Sequence, residues 1–175
     1  MKIFFWLFLS VLLINPSAYP FNYTSSPRAH ATLKDPQGKK VGEAKFVEVK
    51  DGVEITIEVK GLTPGKHGIH IHEVGNCEGP DFTSAGAHFN PSAKQHGLAN
   101  PLGAHGGDLP NLVVNQEGSA KMVMVTKGIT LKGEGKDSLF HPGGTSLMIH
   151  ASADDEKTDP AGNSGARVVC GEISR

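Results

Sequence analysis

The sequence predicts an all-β protein, and three observations lead to that fold class. Residues 53–60 alternate apolar and polar side chains, as expected for a strand that buries one face. The chain contains 22 glycines and 11 prolines, which favour a turn-rich sandwich or barrel over a helix bundle. No stretch of the chain has the apolar spacing of an amphipathic helix, and no internal repeat is found.

Further strands are predicted along most of the chain. The strand-like runs are 29–33, 41–49, 68–72, 112–114, 121–125, 146–150 and 166–170. Asp51-Gly52 lies between two apolar runs and predicts a hairpin turn. Two longer segments, 75–110 and 151–165, are rich in Gly, Pro, Asn and Asp. Loops of that length inside a compact domain are usually functional, so we expect the chemistry there.

The first residues are predicted to be a secretory signal peptide. Lys2 precedes the almost purely apolar run 3–14, and small, turn-forming residues follow at 15–18. The apolar run is shorter than the roughly 20 residues that span a bilayer. We expect cleavage near Ala18, with an uncleaved membrane anchor as the alternative. Residues 1–25 are therefore assigned to the signal and a short tail, and residues 26–175 to one exported domain, found outside the cell, in its envelope or in the periplasm.

Charge and cysteine content narrow the class further. The formal net charge is −1, which argues against a nucleic-acid-binding protein. The only cysteines are Cys77 and Cys170, and two cysteines in an exported protein more often pair than remain free. The alternative is a pair of unrelated buried thiols. A bridge would close a long loop and contribute roughly 4–5 kcal/mol in the chain-entropy account.

Nine histidines are the unusual feature of the composition. His70 and His72 are two residues apart on a predicted strand, so their side chains point to the same face and can share a metal. The alternative for this pair is exposed strand histidines. His150 ends a later strand and completes a histidine-rich group that suits copper. His67 and His141 are expected in a loop and a turn, without a role.

The first long segment carries a second group of metal ligands. Its members are His88, His96, His105 and Asp108. Three imidazoles and one carboxylate form a closed tetrahedral set that is typical of structural zinc. Such a set leaves no open position for a hydrolytic water.

These motifs resemble the copper–zinc superoxide dismutase family in order and spacing. The resemblance rests on 68–72, 84–91, His96-Gly97, His105 with 107–111, and the C-terminal run 162–171. It covers the chain from about residue 28 to the end and implies an eight-stranded Greek-key β-sandwich or barrel with two long functional loops. The stretch 78–82, the short second loop and the signal segment are similar to the family's bacterial secreted branch.

The resemblance also implies a role for each site residue. Copper would be bound by His70, His72, His88 and His150, and zinc by His88, His96, His105 and Asp108. His88 would bridge the two metals and carry a proton. Asp154 would link His70 to His96, and Cys77 would pair with Cys170. Arg167 would guide the substrate in its channel, and the alternative is that it only pairs with Asp155 or Asp159.

The implied activity is the conversion of superoxide to oxygen and hydrogen peroxide by alternating reduction and oxidation of copper. The competing function is a non-catalytic copper- and zinc-binding envelope protein on the same fold. The complete set of copper positions, together with Arg167, favours the enzyme. We expect superoxide as the small-molecule partner, no nucleic acid, no membrane apart from an uncleaved signal anchor, and a homodimer or a monomer.

Overall fold

The computed structural model of the chain describes residues 26–175, so the predicted signal peptide lies outside the described residues. The described residues form eight strands and one short 3-10 helix, Thr83–Ala85. Alternating apolar and polar side chains favour the strands, and turn residues separate them. The strands are β1 (Arg28–Lys34), β2 (Lys40–Val49), β3 (Gly52–Lys60), β4 (Gly65–His72), β5 (Asp108–Val114), β6 (Ser119–Thr126), β7 (Ser146–His150) and β8 (Arg167–Glu172). In the described part of the chain, no helix is long and apolar enough to cross a bilayer.

The strands form one antiparallel sheet in the order β5-β4-β7-β8-β1-β2-β3-β6. The two end strands, β5 and β6, lie side by side, so the sheet curls into a nearly closed barrel. β3 pairs with β6, and β4 pairs with β7, although these strands are distant in sequence. Such pairing of non-consecutive antiparallel strands is typical of a Greek key. The predicted eight-stranded Greek-key fold is confirmed.

The core fills the barrel with the apolar side of each strand. In β3, Val53, Ile55, Ile57 and Val59 are buried, and the residues between them face outward. Phe46 of β2 lies in the same cluster. Burial of each such side chain stabilises the fold by about 1.5–3 kcal/mol, so the barrel is a rigid support for the loops.

Three long loops leave the barrel. The sequence predicted two of them as segments 75–110 and 151–165, and the structure places them at 73–107 and 151–166. The loop 127–145, which lies between these two, was not predicted. The second loop covers part of the core with Leu131 and Leu139, which are fully buried. The buried Glu48 of β2 holds it, because its Oε2 accepts the Leu131 N–H at 2.7 Å. This loop has a packing role, whereas the other two carry the chemistry.

A disulfide joins the first loop to the barrel. Cys77 is bonded to Cys170 of β8, so the predicted bridge is confirmed and the two-thiol alternative is wrong. The prediction for His67 is wrong, because this residue lies within β4 and is only 2% exposed. The prediction failed because Gly65 and Gly68, which flank His67, are typical of a loop in sequence.

Candidate metal site and substrate channel

Two neighbouring strands supply three of the predicted copper ligands. His70 and His72 lie on β4, and His150 ends β7, which pairs with β4 in the sheet. His88 reaches the same place from loop 73–107 through a short backbone bridge with His72. One donor nitrogen from each of the four buried rings lies within 4.8 Å of the other three.

Hydrogen bonds on the outer side of three rings decide which nitrogen faces inward. His70 Nε2 donates to Asp154 Oδ2 at 2.7 Å. His72 Nδ1 donates to the Gly86 carbonyl at 3.0 Å, and His150 Nδ1 donates to the Gly165 carbonyl at 3.1 Å. A neutral imidazole has one N–H and one lone pair. The opposite nitrogens, His70 Nδ1, His72 Nε2 and His150 Nε2, therefore present lone pairs to the cluster, as metal ligands do.

The inward nitrogens fit a bound metal. Buried polar atoms almost always have a hydrogen-bond partner. Within residues 26–175, the buried ring nitrogens without one include His70 Nδ1, His72 Nε2, His88 Nε2 and His150 Nε2. Four convergent imidazole nitrogens are a donor set that suits copper. This group is called the copper cluster below.

The second group converges on one carboxylate oxygen. Asp108 Oδ1 lies 3.0 Å from the Nδ1 of His88, 3.0 Å from that of His96 and 3.3 Å from that of His105. Zinc bonds of about 2.0–2.1 Å in a tetrahedron give ligand–ligand separations of about 3.3 Å. The distances from Asp108 Oδ1 to the three rings therefore match the ligand spacing of a tetrahedral zinc ion. The residues predicted to bind zinc are called the zinc cluster below.

The ligand atoms of the zinc cluster are not all equally close to one another. Ligand atoms of His88, His96 and Asp108 lie within 4.8 Å of one another together with one of His70. His105 falls outside this tighter group, and its Nδ1 lies 3.3 Å from Asp108 Oδ1. The other oxygen of Asp108 accepts the backbone N–H groups of Gly97 at 2.8 Å and His105 at 2.9 Å. Asp108 therefore holds the loop and the ring nitrogens with the same carboxylate.

Asp154 connects the two clusters. Its Oδ2 accepts from His70 Nε2 at 2.7 Å, and its Oδ1 accepts from His96 Nε2 at 3.0 Å. Asn111 fixes the Asp154 backbone with two reciprocal hydrogen bonds, at 2.8 and 2.9 Å. A Cβ at Gly162, whose φ is +60°, would collide with the Asp154 carboxylate, so this position requires glycine. The carboxylate orients one ring of each cluster.

Burial controls the charge of three copper-cluster rings, those of His72, His88 and His150. Burial and the neighbouring His88 lower the pKa of His72 to about 2, and burial and His70 lower that of His150 to about 3. Burial also lowers the pKa of His88 to about 4, although the hydrogen bond to Asp108 opposes it. These rings are neutral at pH 7, as metal ligands must be.

The carboxylates and His96 behave in the opposite way. Burial alone would lower the pKa of His96, but hydrogen bonds to Asp108 and Asp154 outweigh it and raise the pKa to about 9. Burial disfavours ionised carboxylates, yet hydrogen bonds from histidine rings hold the pKa of Asp108 and of Asp154 well below the usual range. Both carboxylates are therefore ionised at pH 7 and available to a cation or to ring N–H groups.

A cavity of about 370 Å³ leads to the copper cluster. His72, His88, His150 and Arg167 line it, together with residues of loop 151–166. A larger groove of about 600 Å³ crosses β2, β3 and β6, but no histidine lines it. The chemistry of the linings identifies the smaller cavity as the candidate channel.

Arg167 is fixed by backbone carbonyls. Its Nη1 donates to the Phe82 carbonyl at 2.6 Å, and its Nη2 donates to the Gly86 carbonyl at 2.7 Å. In the described part of the chain it forms no ion pair with Asp155 or Asp159, so the alternative of a purely structural ion pair has no support. Its charge is therefore available to an anion in the cavity.

Sequence reasoning missed three supporting groups. The Gly86 carbonyl serves both His72 and Arg167. The buried His67 contacts the His150 carbonyl at 2.6 Å through Nδ1 and the Thr63 carbonyl at 2.9 Å through Nε2. Asn111 lies inside a motif that the sequence did single out, but its partner Asp154 is 43 residues away. No local pattern signals contacts of this kind.

Comparison with known proteins gives consistent results. The family model described as copper/zinc superoxide dismutase matches residues 40–173. Superoxide dismutase [Cu-Zn] 2 of Aquifex aeolicus is 44% identical over 165 residues, which cover 94% of each chain. The extracellular superoxide dismutase [Cu-Zn] of Brugia pahangi is 37% identical over 86% of this chain and 77% of its own length. The crystal structure of a SOD-like protein from Bacillus subtilis is 43% identical, with a TM-score of 0.79 over 82% of this chain and 96% of that chain.

Proposed function

This chain belongs to the copper/zinc superoxide dismutase family, and we propose that it converts superoxide to oxygen and hydrogen peroxide. The observation that carries the proposal is the convergence of four imidazole nitrogens at the end of a cavity that a fixed arginine lines. The proposal assigns copper to His70, His72, His88 and His150. It assigns zinc to His88, His96, His105 and Asp108.

Bound copper would supply the one-electron redox chemistry of the reaction, and zinc, which has no redox chemistry, would supply structure. The protein contributes the remaining parts of catalysis. Arg167 attracts and orients superoxide, because a guanidinium stays charged at all working pH values and its position is fixed by two carbonyls. The cavity gives a small anion a path to the copper cluster past Arg167.

His88 is suited to move a proton to the developing peroxide. Its Nδ1 faces Asp108, and its Nε2 faces the copper cluster and the channel. A proton held at Nε2 would therefore lie next to the bound anion. Asp154 keeps the neighbouring rings in place through His70 and His96.

Superoxide consumption by the metal-loaded protein tests this function. Protein loaded with copper and zinc should remove superoxide far faster than the same protein loaded with zinc alone. The competing function, a non-catalytic metal-binding envelope protein, requires that both metals bind while superoxide decays at its spontaneous rate. That second result would overturn the proposal.

The proposal includes export of the domain. The disulfide supports an oxidising compartment, and a relative from Brugia pahangi is named as extracellular. We propose that residues 1–25 are the signal and tail and that residues 26–175 form the enzyme domain in the periplasm, envelope or medium. Mass measurement of the mature protein locates the cleavage point, and sedimentation distinguishes a homodimer from a monomer.

A further inference from the structure

The channel wall and the zinc cluster are in direct contact through two loops. Loop 151–166, which lines the channel, packs against the part of loop 73–107 that follows His96. The Ala99 N–H donates to the Glu156 carbonyl at 3.0 Å. Gly97 has a φ of +111°, and a Cβ there would collide with the same carbonyl. The two loops therefore approach each other more closely than side chains allow.

Asp159 of loop 151–166 lies at this contact, and its carboxylate reaches the zinc cluster. Its Oδ1 accepts the His96 backbone N–H at 2.6 Å. The same oxygen lies 3.9 Å from His105 Nε2, too far for a hydrogen bond but close enough for electrostatic attraction. His96 and His105 both direct their Nδ1 atoms toward Asp108. Asp159 thus binds the backbone of one proposed zinc ligand, His96, and lies near the Nε2 of another, His105, whose Nδ1 faces Asp108.

We propose that Asp159 is a positioning residue for the zinc cluster and couples it to the wall of the substrate channel. A carboxylate that accepts a short backbone N–H bond forms a charge-assisted bond, stronger than a neutral one. Fixing the His96 backbone limits the directions in which its ring can point. The inference rests on the zinc assignment proposed above, but it concerns a residue that binds no metal itself.

The same loop contains a matched control. Asp155 is also exposed, but its carboxylate is used only within loop 151–166. It accepts the N–H groups of Lys157 and Thr158, the Thr158 hydroxyl and the Asn163 amide. Asp155→Ala therefore disturbs the loop without removing a contact to the zinc cluster.

Zinc affinity measured by competition with a coloured chelator tests the proposal. The variants are Asp159→Ala, Asp159→Asn, Asp155→Ala and Asp108→Ala, each in the full copper-loaded protein. Asp159→Ala should weaken zinc binding by about tenfold, the lower end of the range for residues that orient metal ligands. Asp159→Asn keeps an acceptor oxygen for the His96 N–H and should recover most of that loss. Asp155→Ala should bind zinc like the unmodified protein.

The outcomes separate this inference from the function on which it rests. Unchanged zinc affinity in Asp159→Ala, or an equal loss in Asp155→Ala, overturns the role of Asp159 while the zinc cluster stands. An Asp159→Asn variant as weak as Asp159→Ala overturns the hydrogen-bond account. If Asp108→Ala binds zinc as well as the unmodified protein does, the zinc assignment and this inference both fail.

Discussion

The copper and zinc clusters share His88 but are built in different ways. Three copper-cluster histidines lie on β4 and β7, so the ladder hydrogen bonds of the barrel fix their backbones. His96 and His105 of the zinc cluster lie in loop 73–107, and only Asp108 begins a strand. Their backbones are held by carboxylates, because Asp159 accepts the N–H of His96 and Asp108 accepts that of His105.

This difference indicates which cluster depends on its metal for structure. The copper-cluster rings keep their orientation through β4, β7 and their outer hydrogen bonds. Ordering of a long loop costs conformational entropy, and a metal bound only by the folded state offsets it. We therefore expect copper to serve mainly activity and zinc mainly stability.

The largest effect is expected at His72. His72→Gln removes the inward Nε2 lone pair, so activity should be abolished while most zinc remains bound. His30→Gln is the control, because His30 is an exposed residue of β1 that belongs to neither group of metal ligands. Superoxide consumption and elemental analysis of both variants give the result. Full activity in His72→Gln would refute the copper assignment.

A smaller loss of rate is expected from Arg167→Glu. Reversal of the charge beside the cluster should slow catalysis by about 10–10³-fold at low salt, the range typical of electrostatic steering. The loss should shrink as salt rises, because ions screen the repulsion. Metal content should stay normal. Arg28→Glu makes the same charge change on an exposed residue of β1.

Stopped-flow measurement of superoxide decay at several ionic strengths compares the two arginine variants. A native rate in Arg167→Glu at low salt would reject the channel role. An equal loss in both variants would point to net charge instead.

The zinc side of the comparison predicts a change in melting temperature. Asp108→Ala removes the oxygen around which three rings converge and the acceptor for two backbone N–H groups. A ligand at a thousand times its dissociation constant stabilises a protein by about 4 kcal/mol, so loss of zinc should lower the melting temperature strongly. His72→Gln should lower it less. Calorimetry measures the melting temperature of both variants. A lower melting temperature for His72→Gln than for Asp108→Ala would contradict the account.

Much of this comparison could be predicted from the sequence. Strand β7 was predicted with its observed bounds, because 146–150 is a short apolar run between turn residues. The ligand types and spacings identified both clusters. The family resemblance implied the link from Asp154 to His70 and His96, which the structure shows. The contacts of Asp159 and Glu48 could not be predicted, since these carboxylates act on residues 63 and 83 positions away. Only folding brings such groups together.

A further prediction concerns the pH dependence of the metal-free protein. The pKa values of His72, His88 and His150 are lowered from 6.5 to about 2, 4 and 3, so the unfolded chain binds more protons in acid. Their stabilisation is present above pH 6.5 and is lost as the pH falls, with a slope of up to about 1.4 kcal/mol per pH unit for each ring. His96, raised to about 9, stabilises below pH 6.5 and loses this effect as the pH rises through 9.

Three rings therefore make the stability of the folded protein fall below pH 6.5, and one ring makes it fall above that pH. Urea unfolding of the metal-free protein should therefore show a steeper loss of stability below pH 6.5 than above it. A flat profile between pH 4 and pH 6.5 would contradict the burial of neutral rings.

The central claim is that the two clusters hold different metals, and anomalous diffraction from crystals of the copper- and zinc-loaded protein tests it most directly. Data collected at the copper and zinc absorption edges locate each metal separately. The account predicts a copper peak about 2 Å from His70 Nδ1 and from the Nε2 atoms of His72, His88 and His150. It predicts a zinc peak among Asp108 and the Nδ1 atoms of His88, His96 and His105. Copper at the Asp108 position, or zinc alone in both clusters after loading with both metals, would contradict it.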